Sequence, residues 1–324
     1  MQQSLSEIVK YFESLQTQLC TGFAQYGGGQ FIADPWKRSE GGGGRTCVIQ
    51  NDSCFESLGI NFSHIWGEQL FNSASLKRDL PTAPFHATGV SLVAHPRNPY
   101  VPTMHANVRF FCVLSDPVRW WFGGGFDLTP YYPFVEDCVA WHRAAEAACV
   151  PFGAEWHPRF KQWADEYFYL PHRKEARGIG GLFFDDFNHL GLAGSFEFVQ
   201  SVGAHISKAY FPIVEKRRLM AFTEQERAFQ LYRRGRYVEF NLLQDRGTLF
   251  GLQSGGRTES ILMSLPPEVT FRYNYQPAVG SRESQLVDYF LKPKNWLKES
   301  LEKCLTENSG AVECAPLGSM FENV

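Results

Sequence analysis

Along the first twenty residues, MQQSLSEIVKYFESLQTQLC, apolar side chains recur three and four positions apart, and Leu5, Ile8, Val9, Phe12 and Leu15 share one face. That spacing predicts an amphipathic helix over 3–20. Helical spacing recurs at 133–149, 155–169, 194–217 and 223–243, with a short helix at 283–290. Thr223 followed by Glu226 is a capping box that opens the 223–243 helix. Between the helices, runs rich in β-branched and aromatic residues predict strands at 45–50, 87–94, 103–115, 118–127, 179–184, 247–253, 259–264 and 268–275. The alternation is clearest at Val269, Phe271, Tyr273 and Tyr275. Strands between 87 and 127 are joined by connections too short for a crossover helix, so they pair antiparallel. The fold class is therefore α+β: a single domain with a large antiparallel sheet of about six to eight strands, flanked by helices on both faces. Glycines at 27–29, 41–44 and 123–125 read as tight turns or close backbone approaches. After Trp296 the chain turns polar and aperiodic. The domain is expected to span 1–297, and 298–324 to be a loosely packed extension of no assigned role.

Composition narrows the function. The 324 residues are 44% hydrophobic and 20% charged, as in a well-cored globular protein, but the aromatic share of 15%, carried mainly by 28 Phe and 13 Tyr, is high. A net charge of −3 excludes the cationic excess that nucleic-acid binding needs, so an anionic ligand has to be held by local arginines. No run of about 18 apolar residues predicts a membrane span. The acidic N-terminus lacks the apolar core of a signal peptide, so a cytoplasmic location is expected. The eight cysteines show no CxxC spacing, which indicates buried free thiols and no zinc or disulfide framework.

Candidate chemistry concentrates in a few places. The segment KQWADEYFYLPHRKEARGIGGLFFDD, Lys161 to Asp186, combines aromatic walls with His172, Arg173, Arg177 and the acids Asp185 and Asp186. That mixture suits a flat, apolar ligand bearing several carboxylates. In strand register His105, Asn107 and Arg109 point to one face as a polar strip. His142, four residues before Glu146, reads alone as a surface ion pair. His95, His105, His142 and His172 occupy four elements and form no local metal motif, leaving a site assembled in three dimensions as the open alternative. Asp245-Arg246-Gly247 and Ser254-Gly255-Gly256-Arg257 are candidate anion-binding segments, in which small residues let backbone amides approach a carboxylate beside a guanidinium. No P-loop, GxGxxG turn, GxSxG elbow or triple-cysteine cluster is present, so no flavin, nicotinamide, haem or iron–sulfur centre is signalled.

The signature segment closely resembles that of the oxygen-dependent coproporphyrinogen III oxidases. The likeness extends to 89–111, 120–132 and 235–267, and covers about residues 5–297. One departure is Ala164, where the family pattern has Cys, so a catalytic thiol at that position is untenable. The resemblance implies oxidative decarboxylation of the ring A and B propionates of coproporphyrinogen III to vinyl groups, with dioxygen as co-substrate and no organic cofactor. It further implies Asp245 as acceptor for the pyrrole N–H groups with Asp185 behind it, and His105 as proton donor. Arg109, Arg177, Arg246 and Arg257 would serve as propionate anchors. Ser91, Asn107, Val108, Gly255, Gly256 and Arg257 match substrate-contact positions. In bacterial members, residues matching His95, His105, His142 and His172 are proposed ligands of a divalent cation. A homodimer with 237–272 in its interface is implied too. The alternatives are a tetrapyrrole carrier without turnover and a metal-dependent hydrolase using the four histidines.

Overall fold

A computed structural model of the chain describes residues 2–69, 81–253 and 255–298; Ser254, Cys304, Cys314 and the expected tail beyond Lys298 lie outside the described residues. Six strands follow helix α1 (Gln2–Gly27): β1 (Ile32–Lys37), β2 (Gly42–Gln50), β3 (Phe55–Gly67), β4 (Phe85–Pro96), β5 (Thr103–Val113) and β6 (Arg119–Thr129). From β2 onward each pairs antiparallel with the strand before it. Helices α2 (Val135–Cys149) and α3 (Trp156–Tyr167) and a small ladder of β7 (Tyr169–Leu170) with β8 (Glu175–Ala176) come next. Strand β9 (Gly181–Phe187) then joins the free edge of β6, completing a seven-stranded antiparallel sheet of order β1-β2-β3-β4-β5-β6-β9. The long helices α4 (Gly191–Arg217) and α5 (Glu224–Leu243) follow, then the short α6 (Arg246–Gln253), α7 (Thr258–Leu262) and α8 (Arg282–Gln285), the last continuing into a π turn at Leu286–Phe290. The α+β class and the helices on both faces are as the pattern predicted.

Period-two alternation separates the two faces. Leu58, Ile60 and Phe62, Val90 and Leu92, and Ala106, Val108 and Phe110 point one way, into a core filled by α1, α2 and α4. Ile8, Phe12, Leu15, Leu19 and Phe23 of α1 are all buried there. Each contributes roughly 1.5–3 kcal/mol, which is ample to hold a helix that would be marginal in isolation. The opposite face carries Gly59 and Asn61, Gly89 and Ser91, then His105, Asn107 and Arg109, then Gly123, Gly125 and Asp127. Helix α5 is fastened on this side by buried ions: Arg234, with no exposed side-chain surface, donates to Glu56 Oε2 at 2.5 Å and to the Pro96 carbonyl at 3.0 Å. Its start is the capping box the sequence predicted.

Three expected strands fail. Residues 247–253 and 259–264 were expected as strands, but they form α6 and most of α7. Asp245 caps the first by accepting from the Thr248 amide at 2.8 Å. The segment 268–275 pairs with no strand: Phe271 and Tyr273 are exposed, and only Tyr275 packs, against Tyr232. Of the two readings of the 41–44 glycines, the close backbone approach holds at Gly42–Gly44, which lie within β2 and whose bare α-carbons admit the His64, Trp36 and Phe62 carbonyls. Strands β1 and β3 were not anticipated at all.

Candidate active site

Four glycines pave the polar face. An added Cβ at Gly89 would stand 2.5 Å from the Val108 carbonyl oxygen, and one at Gly123 would stand 2.7 Å from Arg109 Nη2. At Gly59 an added Cβ would stand 2.7 Å from Met263 Sδ, so these glycines let neighbouring groups lie close against the sheet. Gly125, with φ of 141°, also lies 1.9 Å (as Cβ) from the Leu182 carbonyl, so no side chain fits between β6 and β9.

The side chains standing on the floor form one directed network. Arg109 Nη2 meets Asp185 Oδ1 at 3.0 Å, while its Nη1 donates to Asn107 Oδ1 at 2.6 Å. With its oxygen committed to Arg109, the Asn107 amide turns its NH2 toward His105 Nε2, 3.5 Å away. His105 Nδ1 donates to Asp127 Oδ1 at 2.8 Å, and Asp127 takes both of its oxygens to within 2.8 Å of Arg177 Nη2. Arg177 passes the chain on to Asn241 Oδ1 at 2.8 Å. Asp127 and Arg177 are 1% and 2% exposed, so this is an ion pair without water. Burial opposes ionisation of Asp127, but the Arg177 charge and His105 outweigh it and hold the carboxyl below its ordinary value. The guanidinium of Arg177 sits among Phe168, Tyr237 and Phe240, with ring centroids 4.4, 4.7 and 4.5 Å away.

Alternation from Phe183 puts Asp185 on the floor, and a β-bulge follows directly after it. Between the pairs Gly124↔Phe184 and Phe122↔Phe187, β9 holds one residue more than β6. Asp186, with φ of 51°, absorbs the extra step. Phe187 thereby returns to the core while Phe183 and Asp185 stay on the floor. Phe183 stacks on Tyr167 with ring centroids 4.0 Å apart, making an aromatic wall. Above it, Tyr167 donates to Asp245 Oδ1 at 2.8 Å and accepts from the Arg246 amide at 3.1 Å. Asp245 Oδ2 accepts from both the amide and the hydroxyl of Thr248 at 2.8 Å. Burial would raise the Asp245 pKa; the Tyr167 hydroxyl, the nearby His105 and Thr248 reverse that and lower it. The Arg246 guanidinium lies over the Tyr167 ring at 4.9 Å.

The structure thus gathers His105, Asn107, Arg109, Arg177, Asp185, Asp245 and Arg246, with Ser91 in register beside Asn107. It separates others. The Val108 side chain is in the apolar core on the far side, so only its backbone faces the floor. Arg257, beyond the turn at Gly255 and Gly256, is engaged by Asp34 Oδ2 at 2.5 Å and Ser260 at 3.1 Å. Sequence reasoning missed Asp127, Tyr167 and Asn241. The one available signal was an acid in the otherwise apolar strand FDLT, which has to be paired if buried.

The four histidines do not fit one metal ion. His95 is fully buried, with Nε2 2.9 Å from the Ser264 carbonyl and Nδ1 3.2 Å from Thr103. His142 was read as a surface residue but is buried, with Nε2 3.0 Å from the Ile179 carbonyl. His172 is at the surface with Glu239, and His105 is held by Asp127. Among the described residues no group of three or more His, Cys, Asp or Glu side chains is arranged for a metal.

The hydrogen-bonding strip, the aromatic wall, the guanidiniums and the His–Asp pair thus stand together on one face of the sheet. The chain belongs to the coproporphyrinogen III oxidase family, whose sequence profile matches residues 7–296. It is accordingly an oxidoreductase of haem biosynthesis, and coproporphyrinogen III is the substrate the family implies. Among the described residues no helix is long and apolar enough to cross a membrane.

Proposed function

We propose that the chain catalyses oxygen-dependent decarboxylation of the ring A and ring B propionates of coproporphyrinogen III, giving the two vinyl groups of protoporphyrinogen IX. Each propionate loses carbon dioxide and, formally, a hydride. Dioxygen takes up the two electrons and, with protons, leaves as hydrogen peroxide. The observation that carries this reading is the placement of Asp245 and the His105–Asp127 pair on a glycine-paved face beside Arg109 and Arg246, while Arg177, expected as a propionate anchor, is buried against Asp127.

The roles follow from the geometry. Asp245 is kept ionised by Tyr167 and Thr248 and serves as acceptor for the pyrrole N–H groups, polarising the electron-rich macrocycle for attack by oxygen. Asp127 fixes the proton on His105 Nδ1, so that Nε2 faces the ligand and exchanges a proton there. Arg109 and Arg246 anchor propionates at the rim, Arg109 being oriented by Asp185 and Asn107. Arg177 neutralises Asp127 from within. No organic cofactor enters this scheme, and no step uses the four-histidine cation. A cytoplasmic homodimer completes the reading, supported by the exposed Leu243, Phe250, Leu252 and Phe271 within 237–272.

The test is incubation of the purified protein with coproporphyrinogen III in air and under strict anaerobiosis, with and without chelator, followed by porphyrin chromatography. Protoporphyrin formed only in air, chelator or not, is the expected result. Binding without conversion in air would leave a tetrapyrrole carrier and overturn the oxidase.

A further inference from the structure

On the helix side of the sheet, with the sheet between it and the substrate floor, lies a second cluster that the reaction does not use. His64 continues the inward row Leu58, Ile60, Phe62 on β3, and His86 lies on the same face of β4, beside Thr88 and Val90. The register pairs Trp66 with His86 and His64 with Thr88, which makes the two histidines diagonal neighbours. His64 Nε2 is 3.3 Å from His86 Nδ1, and the two rings are stacked at 27° with centroids 5.5 Å apart. Both are half-buried, and the Trp66 ring lies 5.1 Å from His64 and 6.0 Å from His86.

That nitrogen–nitrogen separation has a chemical meaning. Two imidazoles bound to one tetrahedral ion at about 2.0–2.1 Å stand about 3.3 Å apart. We propose that His64 and His86 form a two-histidine site for a borderline divalent transition ion, zinc or copper(II), with water in the remaining positions. The proton of the present N–H···N contact has to move to the outer nitrogen of its own ring, a change of tautomer that leaves both rings neutral and both facing lone pairs free. Neutral imidazole suits zinc and copper(II), whereas calcium and magnesium prefer oxygen donors. A bound ion would tie β3 to β4 just where the chain leaves the sheet for the long connection between them.

Trp66 supplies an internal reporter. The protein is titrated with zinc by calorimetry and with copper(II) by tryptophan fluorescence, as wild type and as His64→Gln, His86→Gln, Trp66→Phe and His205→Gln. The expected result is one zinc per chain in wild type, in Trp66→Phe and in His205→Gln, but not in either of the paired-histidine variants. Circular dichroism checks that each variant is folded, and two independent variants guard against one that is not. Copper(II) should quench a component of the emission that is missing from Trp66→Phe. Absence of zinc binding in wild type, or binding that survives in both His64→Gln and His86→Gln, would overturn the site.

Discussion

Asp127→Asn removes one charge from a pair sealed inside the protein, and its cost can be worked from the geometry. Arg177 Nη2 lies 2.8 Å from both Asp127 oxygens, and the two side chains are 2% and 1% exposed. A carboxamide keeps one acceptor but leaves the guanidinium without a counter-charge, facing three aromatic rings and Asn241. Breaking a buried pair from one side costs about 3–5 kcal/mol. At roughly 2 °C per kcal/mol for a chain of this size, Tm should fall by about 6–10 °C. Thermal melts followed by circular dichroism read this directly. The double variant Asp127→Asn/Arg177→Met removes the stranded charge, so its loss should be smaller than the sum of the single losses by on the order of 2 kcal/mol. A Tm within roughly 2 °C of wild type, or strict additivity in the double variant, would refute the claim that this pair is dry and coupled.

Asp245→Ala should lower turnover about 100-fold or more while the circular dichroism spectrum stays that of wild type, and near-normal turnover would sink its acceptor role. Gly123→Ala places a methyl group 2.7 Å from Arg109 Nη2, so Arg109 has to leave Asn107 and Asp185. KM should then rise by roughly tenfold, the equivalent of one lost anchoring contact of about 1.4 kcal/mol, and an unchanged KM would show that Arg109 does not hold substrate. Burial, reinforced by Lys161, keeps His142 neutral to about pH 3 against an ordinary 6.5. The unfolded chain therefore takes up a proton that the folded chain refuses, so this contribution is whole above pH 6.5 and is lost as pH falls toward 3. His142→Gln should flatten the stability curve in that window by about 1.4 kcal/mol per pH unit, and urea titrations at several pH values that give parallel curves would contradict it.

The sequence was informative where a side chain's partner is a face. The hairpins over 85–129 alternate because one side meets α1 and α4 and the other carries the polar strip, and that contrast placed His105, Asn107 and Arg109 together. It was misleading where a partner is a particular distant residue. The alternation of Val269, Phe271, Tyr273 and Tyr275 looks like a strand, yet the segment forms none, and Phe271 and Tyr273 are exposed. Asp127 escaped notice because its two partners arrive from β5 and from the segment after β8, one of them 50 residues along the chain. His142 looked like half of an i, i+4 surface pair, but its helix faces inward and its acceptor is a backbone carbonyl 37 residues away.

The order of the strands has a kinetic consequence. Six strands pair with their sequence neighbours, so nearly all of the sheet, the glycine floor included, can zip up by successive hairpin closures, short ones except for the long connection from β3 to β4. Strand β9 and Arg177 join only after two helices have intervened, and α5 arrives later still. The site is therefore assembled in two instalments: an open, water-filled platform first, and dehydration of Asp127 afterwards, when its cation is delivered. A nascent chain stalled after β6 would hold the polar strip of His105, Asn107 and Arg109 in register while leaving the acid at its end hydrated. In pulse-labelled hydrogen exchange on refolding, amides of β3 to β6 should accordingly gain protection before those of β9 and α5.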